Sequence, residues 1–177
     1  RVGELIKSAS AFRKKLFYSP SQLFSMSTGL MHFAFLQIIL GALVAGIDAG
    51  RGYTDWPLMA GSFLPPAMFD LEPLWRNFFE NDGTVQFIHR MSGYLLAVFG
   101  LVVWMRGRRS GFNQTRRAYH WMIVALAGQI VLGIVTVMQG APVLLGISHQ
   151  FMAVLLWVFI LRARHFAQYP LGGTIRG

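Results

Sequence analysis

Apolar positions along the chain gather into four long runs, at residues 28–47, 84–105, 118–138 and 143–161, with polar connections between them. A hydrocarbon core of roughly 30 Å is crossed by about 20 helical residues at about 1.5 Å each, so every run is long enough to span it. The runs are continuously apolar and do not alternate in short segments, which excludes barrel strands. The pattern predicts an all-α membrane protein of four transmembrane helices. It divides the chain into a basic segment over residues 1–27, a bundle over 28–161 that includes one long loop at 48–83, and a basic tail over 162–177. Ser19-Pro20-Ser21 marks a break ahead of the first span.

Composition agrees with the pattern. Charged residues make up 13% of the chain and hydrophobic ones 54%, with a mean hydropathy of +0.48, whereas soluble domains carry about 25% charged residues. The absence of cysteine removes disulfides, thiolate metal sites and redox-active thiol pairs from consideration. The first residue is Arg1, followed by a basic amphipathic stretch and no cleavable signal, as expected of a piece of a longer chain. A net charge of +9 invites a nucleic-acid reading, but the placement of the charges argues against it. Arg1, Lys7, Arg13, Lys14 and Lys15 precede the first run; Arg106, Arg108, Arg109, Arg116 and Arg117 join the second and third; Arg162, Arg164 and Arg176 follow the fourth. The opposite connections hold Asp48, Asp55, Asp70, Glu72, Glu80 and Asp82, with only Arg51 and Arg76 as cations. The positive-inside rule then sets both termini on the cytoplasmic side of a bacterial inner membrane or the matrix side of a mitochondrial one. The basic segment at 1–27 is expected to lie on anionic lipid. The long loop contains Trp56-Pro57, Pro65-Pro66 and Pro73-Leu74-Trp75, and its aromatics suit a cap at the membrane surface.

The chain repeats itself. Gln37-Ile38-Ile39-Leu40-Gly41 in the first run recurs as Gln129-Ile130-Val131-Leu132-Gly133 in the third. Laying His89 on His149 pairs Gly93 with Ala153, Leu95 with Leu155, Leu96 with Leu156, Val98 with Val158, Phe99 with Phe159 and Leu101 with Leu161. The bundle is thus one two-helix unit used twice, related by an axis along the membrane normal.

His89 and His149 each lie about 9 Å of helix inside the loop end of their runs, at a common depth. Repeat-related imidazoles on opposite sides of a bundle interior suit the two axial positions of a haem iron. Gly93 and Ala153, four residues on, leave no large side chain below the histidines, and Gly100 and Gly146 extend that slot. Zinc would need further ligands, and no run supplies Cys, Asp or Glu. His32 and His120 could serve a second haem, but their registers differ by about 6 Å, so interfacial or hydrogen-bonding roles are expected, as for His165. Gln37 and Gln129 are expected to bridge helices, since a buried amide in lipid needs partners, and Gly41 with Ala45 and Ala42 with Gly46 to let helices approach closely. Arg51, Arg76 and Arg90 are the cations near the site. They could pair with haem propionates, or with the loop acids and lipid phosphates.

These residues resemble the haem A synthase family. The resemblance rests on Gln37 to Gly52, on Tyr53-Thr54-Asp55-Trp56-Pro57-Leu58-Met59, on Trp75 to Asn81, on Gln86-Phe87-Ile88-His89-Arg90 and on Ser148-His149-Gln150. It runs from about residue 28 to 161 and points to the family's carboxyl-terminal four-helix half. It implies an oxidoreductase that converts a methyl group of haem O to the formyl group of haem A for cytochrome oxidase. It further implies one haem b in this half, held by His89 and His149, and a missing amino-terminal half that carries the catalytic Glu-x-x-His-Arg. Gln86 stands where that glutamate would be, so this half is expected to transfer electrons or give structural support and not to be catalytic alone. Thr54-Asp55 replaces the family's usual Asn-Thr, and Ile88 the usual Asp before the histidine. The partners implied are the bilayer, the other half and an electron donor; a homo-oligomer is compatible with the sequence. Two other readings stay open, a self-standing bis-histidine b-type cytochrome and a haem-free membrane anchor or assembly protein.

Overall fold

The computed structural model describes residues 3–4 and 20–170. Arg1, Lys7, Arg13, Lys14, Lys15 and Arg176, which carry the expected lipid-binding segment and part of the basic tail, lie outside the described residues. Over residues 20–170, five α-helices follow one another: α1 (Pro20–Gly46), the short α2 (Asn77–Glu80), α3 (Asp82–Gly107), α4 (Asn113–Met138) and α5 (Val143–Gln168). Among the described residues there is no strand, only an isolated bridge between Met59 and Ser62. Helices α1, α3, α4 and α5 are each long and apolar enough to cross a membrane. The all-α membrane class read from the hydrophobic pattern is the class observed.

The helices overrun the apolar runs. α1 is already helical at Pro20, within the expected break, where proline lacks only an N–H that a first turn would leave unpaired. α4 takes in Arg116 and Arg117, and α5 continues through Arg162 and Arg164 to Gln168. Twenty-six residues make a helix of about 39 Å, longer than the roughly 30 Å of hydrocarbon. Hydropathy marks the crossing, while the backbone ladder continues into the interface. At the other end of α3, the side chain of Asn81 accepts the Thr84 amide at 3.0 Å, and Asp82 in the first turn complements the helix dipole.

α1 packs against α3 and α5, and α4 packs against the same two helices. The bundle therefore runs up-down-up-down, with α1 and α4 on one diagonal and α3 and α5 on the other. Its closely packed core fills the end where α1 starts and α5 finishes, with Leu23, Leu30, Val103, Tyr119, Met122 and Ile160 almost wholly buried. Gly107 gives room to the ring of Tyr119, and Gly100 to Leu126. Several polar side chains here are paired, as apolar surroundings favour, while the buried Trp104 Nε1 has no partner. Ser27 donates to the Leu23 carbonyl at 2.7 Å and so accepts from the Tyr119 hydroxyl at 2.5 Å. Trp157 donates to the Met31 carbonyl at 3.1 Å, and Arg164 to Thr28 Oγ1 at 2.8 Å.

The connection over residues 47–81 is held by its own hydrogen bonds. Asn77, fully buried, accepts the Leu71 amide at 2.9 Å and donates to the carbonyls of Leu71 and Leu74. Asn81 donates to the Ala67 carbonyl at 2.9 Å, and Tyr53 to that of Pro66 at 2.8 Å. At the same end of the bundle α4 and α5 are joined only by residues 139–142, where Gly140 and Ala141 take φ of 73° and 50°.

Candidate functional site

Towards the loop end the apolar core gives way to half-buried polar and small residues. His89 comes from α3 and His149 from α5, one diagonal of the bundle. The other diagonal supplies a partner to each. Gln37 of α1 places Nε2 3.1 Å from Nδ1 of His89 and donates from it to the His89 carbonyl at 2.9 Å. Its Oε1 accepts a short hydrogen bond from Ser92. Gln129 of α4 meets Nε2 of His149 at 3.3 Å. Below each ring lies the glycine four residues after the glutamine, where a Cβ would come within 3.1 Å of His89 Cε1 at Gly41 and 2.8 Å of His149 Cε1 at Gly133.

The two glutamines do bridge helices, and what they reach is the histidines. Gly41, read from sequence as a helix-packing residue, faces an imidazole. Gly93 makes room for the Gln37 amide, 3.2 Å from where its Cβ would be. Ala153 is half-buried on α5, and Gly146 has open space around it. Gly100 is covered by Leu126.

The three cations take different positions. Arg51 pairs with Asp48 at 3.4 Å and Arg76 with Glu80 at 2.6 Å, both in the exposed loop. The Arg76 guanidinium holds the Glu80 carboxyl below the usual range, and Glu80 in turn raises Arg76. Arg90, one residue after His89, donates to three loop carbonyls: Tyr53 at 2.8 Å, Asp55 at 3.0 Å and Leu58 at 3.0 Å. Gln86 adds a bond to the Tyr53 carbonyl at 3.0 Å, and Trp56 donates to the Tyr94 hydroxyl at 3.0 Å. One stripe of α3 thus ties residues 53–58 over the histidine end. Beyond that segment, the amides of Ala60 and Gly61 each donate to the Asp55 carboxylate at 2.9 Å, which holds its pKa below the ordinary value. Nothing in the sequence pattern pointed to this latch, because its acceptors are backbone carbonyls.

The remaining histidines stand apart. His32, His120 and His165 are exposed. His120 is bonded through Nδ1 to the Arg116 carbonyl of its own helix at 2.8 Å and lies edge-on to Trp104. His165 stacks near Phe166 and Tyr169.

As a donor set the site fits an axial pair. Each glutamine takes one imidazole nitrogen and leaves the other: Nε2 in His89, and in His149 a buried Nδ1 with no hydrogen-bond partner. Among the described residues no three His, Asp or Glu side chains gather as a tetrahedral metal site would need.

Residues 4–161 match the sequence profile of the cytochrome oxidase assembly protein family. The chain is 63% identical over 156 residues to the heme A synthase of Ruegeria sp. strain TM1040, a match covering 88% of this chain and 41% of that protein. It is 54% identical to the heme A synthase of Roseobacter denitrificans, covering 99% of this chain and 46% of the relative, and 55% identical to that of Paracoccus denitrificans, covering 98% and 45%. The chain thus spans less than half the length of these relatives and corresponds to their carboxyl-terminal part. No solved structure matches it. With the family profile matched over most of its length and heme A synthases among its relatives, the chain belongs to the cytochrome oxidase assembly protein family.

Proposed function

We propose that the chain is the haem b-holding carboxyl-terminal half of a haem A synthase, with His89 and His149 as the axial ligands. The observation that carries this reading is the pair of repeat-related imidazoles on one diagonal, each fixed by a glutamine and backed by a glycine from the other diagonal. A haem bound there would supply one-electron redox chemistry. The chain's own residues hold the two imidazoles, give the Gln37 amide its room at Gly93, keep bulk away at Ala153, and cover the loop end. Arg51 and Arg76 sit in exposed ion pairs, which are weak and readily exchanged, so both remain able to meet a propionate. Arg90 has five donors, and three of its hydrogen bonds go to the loop, so it also retains capacity for an anion.

In the longer protein this half passes electrons to, or supports, an amino-terminal half that oxidises the haem O methyl group. Gln86 is neutral and cannot act as a general base, and no Asp or Glu lies in α1, α4 or α5. The chain alone therefore binds haem b and leaves haem O unchanged. The setting is a bacterial or mitochondrial inner membrane with both termini on the cytoplasmic or matrix side, and the partners are the bilayer, the other half and an electron donor.

A pyridine haemochrome assay on the purified chain tests the reading. One haem b per chain is expected, lost or greatly weakened in His89→Ala and His149→Ala and kept in His32→Ala, His120→Ala and His165→Ala. Two haems would favour a self-standing cytochrome, and none a haem-free anchor; either result overturns the proposal. Formation of haem A by this chain, in a host that supplies haem O and lacks its own synthase, would overturn the division of labour.

A further inference from the structure

The two histidine sites follow one plan but differ in how firmly the plan is carried out. In the His89 unit every part of the Gln37 amide is engaged. Its two N–H groups go to the His89 carbonyl and to Nδ1, and its Oε1 accepts from Ser92. The Ser92 hydroxyl also lies 3.1 Å from the His89 carbonyl, so it has a second acceptor if the amide turns over. With Nε2 given to an iron, Nδ1 would carry the proton, and the turned amide would accept from it through Oε1 while Ser92 takes over the His89 carbonyl. In the His149 unit only the single 3.3 Å contact from Gln129 remains. Both Gln129 Oε1 and His149 Nδ1 are buried without a partner. The repeat explains the difference, because Met152 stands where Ser92 stands in the first unit, and a thioether cannot donate to an amide oxygen.

From this we infer that Gln37, oriented by Ser92, is the positioning residue for the His89 imidazole, and that Gln129 holds His149 much more loosely, so that the two axial positions are unequal. The inference rests on the haem reading above. A ligand ring whose second nitrogen is held by a fixed partner keeps its plane and its basicity, and both quantities reach the iron. Removing the Gln37 amide should therefore change the electronic properties of the haem while leaving the haem in place. Removing the Gln129 amide should change them less.

The test uses Gln37→Met and Gln129→Met, which keep side-chain length and remove the amide, together with Ser92→Ala. Haem content, the low-spin electron paramagnetic resonance spectrum and the reduction potential are measured on the purified chain carrying haem b. The expected result is haem retained at half the unmodified level or more, with resonance positions and potential displaced in Gln37→Met, displaced less but in the same sense in Ser92→Ala, and displaced least in Gln129→Met. A purely structural glutamine would change haem content or stability and leave both spectroscopic readouts alone. Should Gln37→Met fail to accumulate, Ser92→Ala against Gln129→Met decides the order. Unchanged resonance and potential in both Gln37→Met and Ser92→Ala, or a displacement in Gln129→Met as large as theirs, overturns the inference while leaving bis-histidine ligation standing. Absence of a low-spin bis-histidine haem from the unmodified chain overturns both.

Discussion

Arg90→Met should release the loop from the bundle. The guanidinium makes three bonds to loop carbonyls and is half-buried. A hydrogen bond with one charged partner contributes about 1.5–3 kcal/mol when dry. These carbonyls return to water when the loop lifts, so about 1 kcal/mol each is the better figure, or about 3 kcal/mol for the three. At about 1.4 kcal/mol per factor of ten, the open loop becomes roughly 100-fold more populated. The chain has no cysteine, and Met59, next to the latch, is 1% exposed. Met59→Cys therefore creates a single thiol that a water-soluble maleimide reaches only when the loop opens. Labelling of that thiol should accelerate about 100-fold on adding Arg90→Met, and about tenfold on adding Arg90→Lys, whose single ammonium cannot span three carbonyls. Arg76→Met, which breaks only the contacts to Glu80 and the Glu72 carbonyl, should leave the rate unchanged. An acceleration below about threefold in Arg90→Met would refute the assignment of Arg90 as the latch.

Three further outcomes follow from the same contacts. The Asp55 carboxylate is held below its ordinary pKa by the amides of Ala60 and Gly61, so its support of that turn is complete above about pH 4 and is lost as pH falls through the lowered value. Amide-exchange protection at residues 60 and 61, corrected for intrinsic rates, should fall there, and Asp55→Asn should show reduced protection at neutral pH with no further acid step. Gly133→Ala should disturb the low-spin haem spectrum more than Gly41→Ala, because its new Cβ would meet its ring at 2.8 Å against 3.1 Å; an equal or reversed order in absorption spectra would contradict the ring placement. Tyr119→Phe removes the partner of Ser27 at the closely packed end and should cost about 1–2 kcal/mol, read as a lowered thermal midpoint with haem content unchanged.

The spans were legible because lipid leaves few options: a continuous apolar run of sufficient length must be a helix that satisfies its own backbone. That His89 and His149 have equivalent surroundings was legible because the repeat aligned the two residues. What each histidine touches was not, since Gln37 and His89 are far apart in sequence and only the packing of α1 on α3 brings them together. Gly41 illustrates the limit. Its spacing from Ala45 fits a helix-packing motif, and the same absence of a side chain turns out to accommodate an imidazole. Gly93 was read as clearance for a flat ligand and gives clearance to the Gln37 amide. Arg90 was legible as a cation near the site, but its carbonyl partners carry no sequence signal.

The two halves of the repeat differ where the long loop makes its demands. Laying His89 on His149 sets Gln86 on Gly146, Arg90 on Gln150 and Tyr94 on Val154. All three α3 residues bond residues 53–56, whereas Gly146 and Val154 have no polar side chain and Gln150 lacks the guanidinium's five donors. The second unit has nothing there to bind, because residues 139–142 form a turn too short to fold back along α5. A guanidinium kept at position 150 would face lipid or the haem end with no carbonyls to receive it, at considerable cost in an apolar setting. The glutamine, the glycine four residues after it and the histidine have no such dependence on the connection, and these three are common to both units. The glutamine, glycine and histidine at each imidazole are thus shared, and three of the unshared positions form the latch. The repeat therefore sets the glutamine, glycine and histidine at each imidazole apart from the loop-binding residues of α3 without reference to any relative.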